Sequence, residues 1–172
     1  MAPTCVLKIE IMQEKQIEFR KATADDYDVV FALFSEVQSL HHDAQPDFFK
    51  KPEKGELFRQ FFDKTLESEE QYLIIGWLDG EPIGYILFHK WVRPKNIYLV
   101  HHPILYIHNL MIKERHRYQG YGGTFIDYAK RTAKELGITR MGIDFWHFNE
   151  PARKCFSRQG FEVLQHIMWL DL

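Results

Sequence analysis

The segment Arg117-Tyr118-Gln119-Gly120-Tyr121-Gly122 constrains this chain more than any other. It follows a strand-like run, Tyr106-Ile-His-Asn-Leu-Met-Ile112. A helical stripe at Phe125, Ala129, Thr132 and Leu136 comes after it, with Gly137 placed as a left-handed cap. A strand that passes through glycines into a helix N-terminus presents unpaired N–H groups at the positive end of the helix dipole. Such an end is a ready site for a pyrophosphate. Gly120 and Gly122 let the backbone approach a ligand with no Cβ in the way, and Arg115, His116 and Arg117 bring donors and positive charge. The spacing is not that of a P-loop, which needs four residues between its glycines and then Gly-Lys-Ser/Thr. A dinucleotide turn needs G-x-G-x-x-G directly after its strand. Here the order is Arg-x-x-Gly-x-Gly, starting five residues beyond Ile112.

The rest of the chain supplies one mixed α/β domain around that turn. Ile17 to Ala22 alternates as a strand, and Thr23-Ala-Asp-Asp can cap a helix whose stripe runs through Val30, Leu33, Phe34, Val37 and Leu40. After the loop His41 to Pro52, a second helix pairs Leu57 with Phe61 and Phe58 with Phe62. Tyr72–Leu78 and Ile83–Val92 are strands joined at Asp79-Gly80, a tight hairpin turn. A further strand lies between about Ile97 and Ile112, divided or not at His101-His102-Pro103. Arg140–Trp146 reads as a strand, Asn149–Gln159 as a short helix, and Phe161–Leu164 and Ile167–Leu170 as two last strands. The order is β-α-α-β-β-β-α-β-α-β-β, without internal repeats or linkers. Residues 1–15 read as a short extra strand, a mobile arm or in part a cloning remnant.

The 172 residues, 45% hydrophobic and 15% aromatic, suffice for one substantial core. A net charge of −2 gives no electrostatic reason to expect nucleic acid or a membrane surface as partner. No apolar run approaches the ~20 residues that cross a bilayer, and the N-terminus lacks a secretion-signal pattern. Two cysteines, Cys5 and Cys155, form no disulfide framework and fit a reducing cytoplasm. The expectation is a soluble cytoplasmic protein. Nine histidines include the pairs His41-His42 and His101-His102, but neighbours on a strand point to opposite faces. With no zinc spacing present, no metal site is expected.

A second patch, Asn149-Glu-Pro-Ala-Arg-Lys-Cys-Phe-Ser-Arg-Gln-Gly-Phe161, lies downstream. Locally Asn149 caps, Pro151 suits a first helical turn and Gly160 ends the helix. Together with the triplet Leu110-Met111-Ile112 and the turn Arg117–Gly122, it resembles the GNAT (Gcn5-related) N-acetyltransferase superfamily. The two motifs span residues 106–161, and the superfamily's order of elements is similar to nearly the whole chain.

The resemblance implies a mostly antiparallel central sheet of about six to seven strands, flanked by about four helices and splayed at the cofactor strand. It also implies acetyl-CoA as acyl donor. The pyrophosphate would rest on Arg117, Tyr118, Gln119, Gly120, Tyr121, Gly122 and Gly123, and the pantetheine arm on Leu110, Met111 and Ile112, with Asn149 and Phe156 nearby. An amine must lose a proton before it attacks a thioester, and the tetrahedral intermediate needs an oxyanion donor. By resemblance that donor is a backbone N–H near a strand bulge, around Leu110. Where many relatives carry a tyrosine that protonates the leaving thiolate, this chain has Phe156, which has no donor. Cys155 is adjacent but about 100° away around the helix.

Relatives often carry a glutamate base on the strand of Leu110; His108 and Asn109 stand there instead. Histidine has a reference pKa close to neutrality, so His108 is the candidate base, or else a structural or surface histidine. Asp144 and His147 are reserve candidates. The acceptor would be a small-molecule or peptide amine framed by residues 41–52 and about 91–103, including Asp43, Asp47, Phe48, Phe49, Trp91, Arg93, Lys95 and His101. Alternatives are a non-catalytic acyl-CoA-binding module and a transferase for a longer acyl chain. A homodimer, with Ile167–Leu170 contributing, is a further expectation by analogy.

Overall fold

The computed structural model describes residues 16–170. Cys5 and the expectations for residues 1–15 lie outside them. The elements are β1 (Glu18–Lys21), α1 (Tyr27–Ala44), α2 (Glu56–Glu67), β2 (Gln71–Leu78), β3 (Glu81–Val92), β4 (Pro103–Ile112), α3 (Tyr121–Glu135), β5 (Met141–Ile143) and α4 (Glu150–Arg158). The five strands form one sheet in chain order. Neighbouring pairs are antiparallel except β4 and β5, which run parallel. The mixed α/β fold, mostly antiparallel with four α-helices, is thus the one the sequence implies.

Local chemistry sets the ends of these elements. Asp79 and Gly80 both take positive φ, 51° and 79°, as a two-residue hairpin with right-handed strand twist requires. Before α1, the Asp26 carboxylate accepts from the Thr23 amide at 2.8 Å and holds the Arg20 guanidinium through two 2.7 Å bonds. The α3 helix starts at Tyr121 behind Gly120 in the left-handed region, φ 89°, and Gly137 follows its end at φ 67°.

Two cores lie on opposite faces of the sheet. On one, Val30 and Leu33 of α1 and Phe58 and Phe62 of α2 cover Leu73, Ile75, Tyr85, Leu87 and Met111. The second helical pair, Leu57 and Phe61, faces outward at 76% and 43% exposure. On the other face, Phe125, Ala129 and Ala133 of α3 cover Ile74, Ile83, Ile86, Phe88, Leu105 and Ile107. The sheet is tightest at Gly84, where a Cβ would stand 2.2 Å from the Met111 carbonyl oxygen.

Three expectations need correction. β5 covers only Met141–Ile143, not Arg140–Trp146: its pairing with β4 stops at Ile143, and the chain then turns at Trp146, whose carbonyl accepts from the Asn149 amide at 2.8 Å. The fourth strand, β4, begins at Pro103 rather than near Ile97, and residues 93–102 are loop. Neither Phe161–Leu164 nor Ile167–Leu170 forms a strand, so the described residues hold five strands rather than six or seven. Leu164 and Met168 there are 91% and 93% exposed. The apolar pattern is real, but a strand needs a ladder partner, and none meets this segment.

Candidate active site

β4 and β5 pair only through Leu105–Met141, Tyr106–Gly142 and Ile107–Ile143. Beyond these pairs β5 ends while β4 continues to Ile112, paired on its other side with β3. The edge of Asn109–Ile112 that faces away from β3 is therefore unladdered. Within this stretch β4 carries a bulge. Phe88 pairs with Ile107 and Leu87 with Asn109, so His108 is the extra residue. The bulge lies two residues before Leu110, near where the family resemblance implies one.

The bulge turns His108 toward the α1 face of the sheet. Its ring stacks on His89 of β3 at 4.4 Å between centroids and meets Tyr106 edge-on at 5.5 Å. Trp91 joins the same group through Tyr106 at 5.6 Å. The Tyr106 hydroxyl donates to Asp144 Oδ1 at 2.8 Å, fastening the residue just past β5 to β4. Desolvation by these rings, and then repulsion from His89, lower the His108 pKa; Asp144 pulls the other way without reversing it. Tyr106, half-buried and donating to Asp144, is pushed up to about 12. His89 is lowered by its own burial. Neutral pH thus finds a neutral imidazole beside a carboxylate that a tyrosine orients. Of the reserve candidates, Asp144 joins this group, while His147 is exposed and in none of these contacts.

The glycine-bearing turn lies at the far end of β4. Arg117 donates from Nε to the Ile112 carbonyl at 2.9 Å, tying the turn to the strand's last residue. Tyr118 adopts φ 63° and is 89% exposed, and Gln119 donates to the Arg115 carbonyl at 3.0 Å. The Gly123 and Thr124 amides both reach the Gly120 carbonyl, at 2.9 and 3.4 Å. Among the described residues, the amides of residues 118–122 have no carbonyl partner. Five donors at the positive end of α3 fit an anionic group such as a pyrophosphate. Tyr121 leans on His116 at 6.1 Å, and Gly122 lies against Cys155 of α4, whose sulfur would be 3.2 Å from a Cβ there.

The basic residues around this turn are already engaged. Glu81 pairs with Arg115, with Lys113 at 3.1 Å and with His116 at 3.7 Å. Glu36 of α1 accepts from the Glu114 amide at 2.8 Å and lies 3.9 Å from Arg117. These carboxylates come from distant segments, and nothing in the local sequence signals them. In the second patch Asn149 accepts from the Ala152 amide at 3.2 Å as the α4 cap. Phe156 is 7% exposed and packs against Phe145 and Phe161. The histidine pairs also find local roles: His42 Nδ1 meets the Phe49 carbonyl at 2.8 Å and His101 Nδ1 the Arg93 carbonyl at 2.9 Å.

A mixed sheet whose two parallel strands part after three paired residues, with an amide-rich turn leading into a helix beside the gap, defines the acetyltransferase fold. Residues 37–161 match the Acetyltransferase (GNAT) family, and the chain belongs to it. It is 23% identical over 149 residues to YhfO of Bacillus subtilis (strain 168), described as an uncharacterized N-acetyltransferase, covering 85% of this chain and 90% of that protein. Its fold is similar to that of the BH1408 protein from Bacillus halodurans, in a crystal form carrying four mutations. The TM-score is 0.83 at 22% identity over 90% of this chain and 99% of that one. The aminoglycoside N-acetyltransferase AAC(6')-Iy in complex with CoA matches with a TM-score of 0.72 at 15% identity, over 94% of this chain and 98% of that one. No helix among the described residues is long and apolar enough to cross a membrane.

Proposed function

We propose that this chain, as one domain, moves the acetyl group of acetyl-CoA to a primary amine by direct attack in a ternary complex. The observation that carries this reading is the adjacency of an unladdered backbone edge, Leu110–Ile112, to the five unpartnered amides of residues 118–122. An extended amide-bearing arm would pair with the edge as an added strand, and a pyrophosphate would meet the amides. When bound, acetyl-CoA supplies the activated thioester. Leu110 N–H would donate to the thioester oxygen as negative charge develops there. Arg117 and Gln119 hold the turn in shape, and Met111 and Phe156 anchor the walls from the core.

His108 would take the proton that the incoming ammonium must lose. The amine nitrogen then bonds to the thioester carbon and the C–S bond breaks. A second proton from the nitrogen ends on the departing sulfur, carried by water, since Phe156 has no donor. The test is thiol release from acetyl-CoA across a panel of amines. Amine-dependent release supports the reading. Tight CoA binding without release under any amine would instead make the chain a binding module.

A further inference from the structure

Beside the His108 group the α1 face carries a second cluster that belongs to neither core. Phe48 and Phe49, in the turn after α1, pack edge-on against Trp146 at 5.0 and 4.7 Å. Phe148 stacks on Trp146 at 6.5 Å, and His41 stacks on Phe49 at 5.0 Å. None of these five rings is buried, and Phe48 is 52% exposed. Solvent-accessible aromatic clusters of this kind retain apolar area that a ligand can cover.

The backbone after β5 joins this cluster to the His108 group. Phe145 turns toward α4, 5.9 Å from Phe156. Its neighbours turn the other way, Asp144 to the Tyr106 hydroxyl and Trp146 to Phe48 and Phe49. A carboxylate therefore stands between the candidate base on one side and an aromatic wall on the other. Burial holds the His41 pKa down, so His41 enters the wall as a neutral ring. The matching ligand has a cationic head for Asp144 and a flat apolar body for the rings, which also favour the cation through their π faces.

Resting on the acetyl-transfer reading, we propose that the acceptor is a primary amine with an aryl substituent, seated with its ring on Phe48, Phe49, Trp146 and Phe148 and its ammonium at Asp144. The aryl ring selects this acceptor over a purely aliphatic amine or a polyhydroxylated polyamine. Burying a phenyl ring corresponds to about tenfold or more in affinity.

The experiment compares kcat/KM for 2-phenylethylamine, n-butylamine and kanamycin in thiol release from acetyl-CoA. The expected result is a preference for 2-phenylethylamine of about tenfold or more. Trp146→Ala should raise its KM about tenfold with a smaller change in kcat, and Trp146→Phe should restore most of the loss. Phe48→Ala repeats the test at a more exposed ring, where folding is least at risk. Release that is equal for the phenyl and butyl amines, or faster with kanamycin, would overturn the aryl acceptor and leave acetyl transfer standing. No release with any amine, despite bound CoA, would sink both.

Discussion

His108 stacks on His89 with ring centroids 4.4 Å apart and planes 13° from parallel. Burial first, and then the charge that His89 would carry, lower the pKa of His108, while His89 is lowered by its own burial. A lowered pKa keeps the neutral base form populated to more acidic pH than an ordinary histidine would. The limb of kcat/KM that depends on His108 should therefore fall below pH 6.5, the unperturbed value. Replacing His89 by Ala removes the repulsion and part of the desolvation, so the limb should move up in pH. His108→Ala should lower kcat/KM by about a hundredfold and abolish that limb. Profiles with a weakly basic amine would check this; an unchanged limb in His108→Ala would remove His108 from the proton path.

Arg117 ties the turn to β4 through the Ile112 carbonyl while Glu36 sits 3.9 Å from its guanidinium. Arg117→Ala should loosen the amide cradle and raise the Kd for CoA about tenfold, roughly the loss of one charge-assisted hydrogen bond. Glu36→Gln removes a negative charge beside the proposed pyrophosphate site. It should tighten CoA binding a few-fold at low salt, with the gain shrinking as salt rises. Calorimetric titration at two ionic strengths would measure both.

Gly84 faces the Met111 carbonyl oxygen, a backbone atom that cannot swing away. Gly84→Ala should therefore force β3 from β4 beneath the cofactor edge. The expected cost is about 3 kcal/mol or more, with CoA binding lost in proportion to the fraction unfolded. Urea denaturation followed by tryptophan fluorescence would test it, and a loss under 1 kcal/mol would contradict so close a strand contact.

Asp26 is held to about 2, against 3.8 for the free carboxyl, first by the Arg20 bonds and also by its bonds from Thr23, with burial opposing them. Because the folded pKa is depressed, this stabilisation is complete above 3.8 and is lost as pH falls through about 2. Asp26→Asn should cost about 2 kcal/mol at neutral pH and lose less further stability than wild type across that acidic window. Thermal melts at pH 7, 4 and 2.5 would read the difference.

Much of this was legible in the residues because it is local. Asp79-Gly80, Asn149 with Pro151, and Gly137 each carry a cap or turn preference that acts within a few positions, and each holds. The turn at residues 117–122 and the start of α3 are legible for the same reason. What escaped depends on distance along the chain. Glu81 and Glu36 meet residues 113–117 only after the sheet and α1 have packed, and His89 reaches His108 across two strands. The final apolar run failed as a strand prediction because alternation describes one face of a segment, whereas a strand also needs a free edge to pair with. Phe48 and Trp146 were visible as aromatic residues, but their meeting was not.

The most direct test of the central claim is an amide chemical-shift titration of the isotope-labelled protein with CoA. The account predicts the largest shifts at Leu110, Met111 and Ile112 and from Tyr118 to Gly123, with small changes on the Phe48 turn. Saturable binding that leaves the 118–123 amides unmoved and shifts another face of the sheet would contradict it.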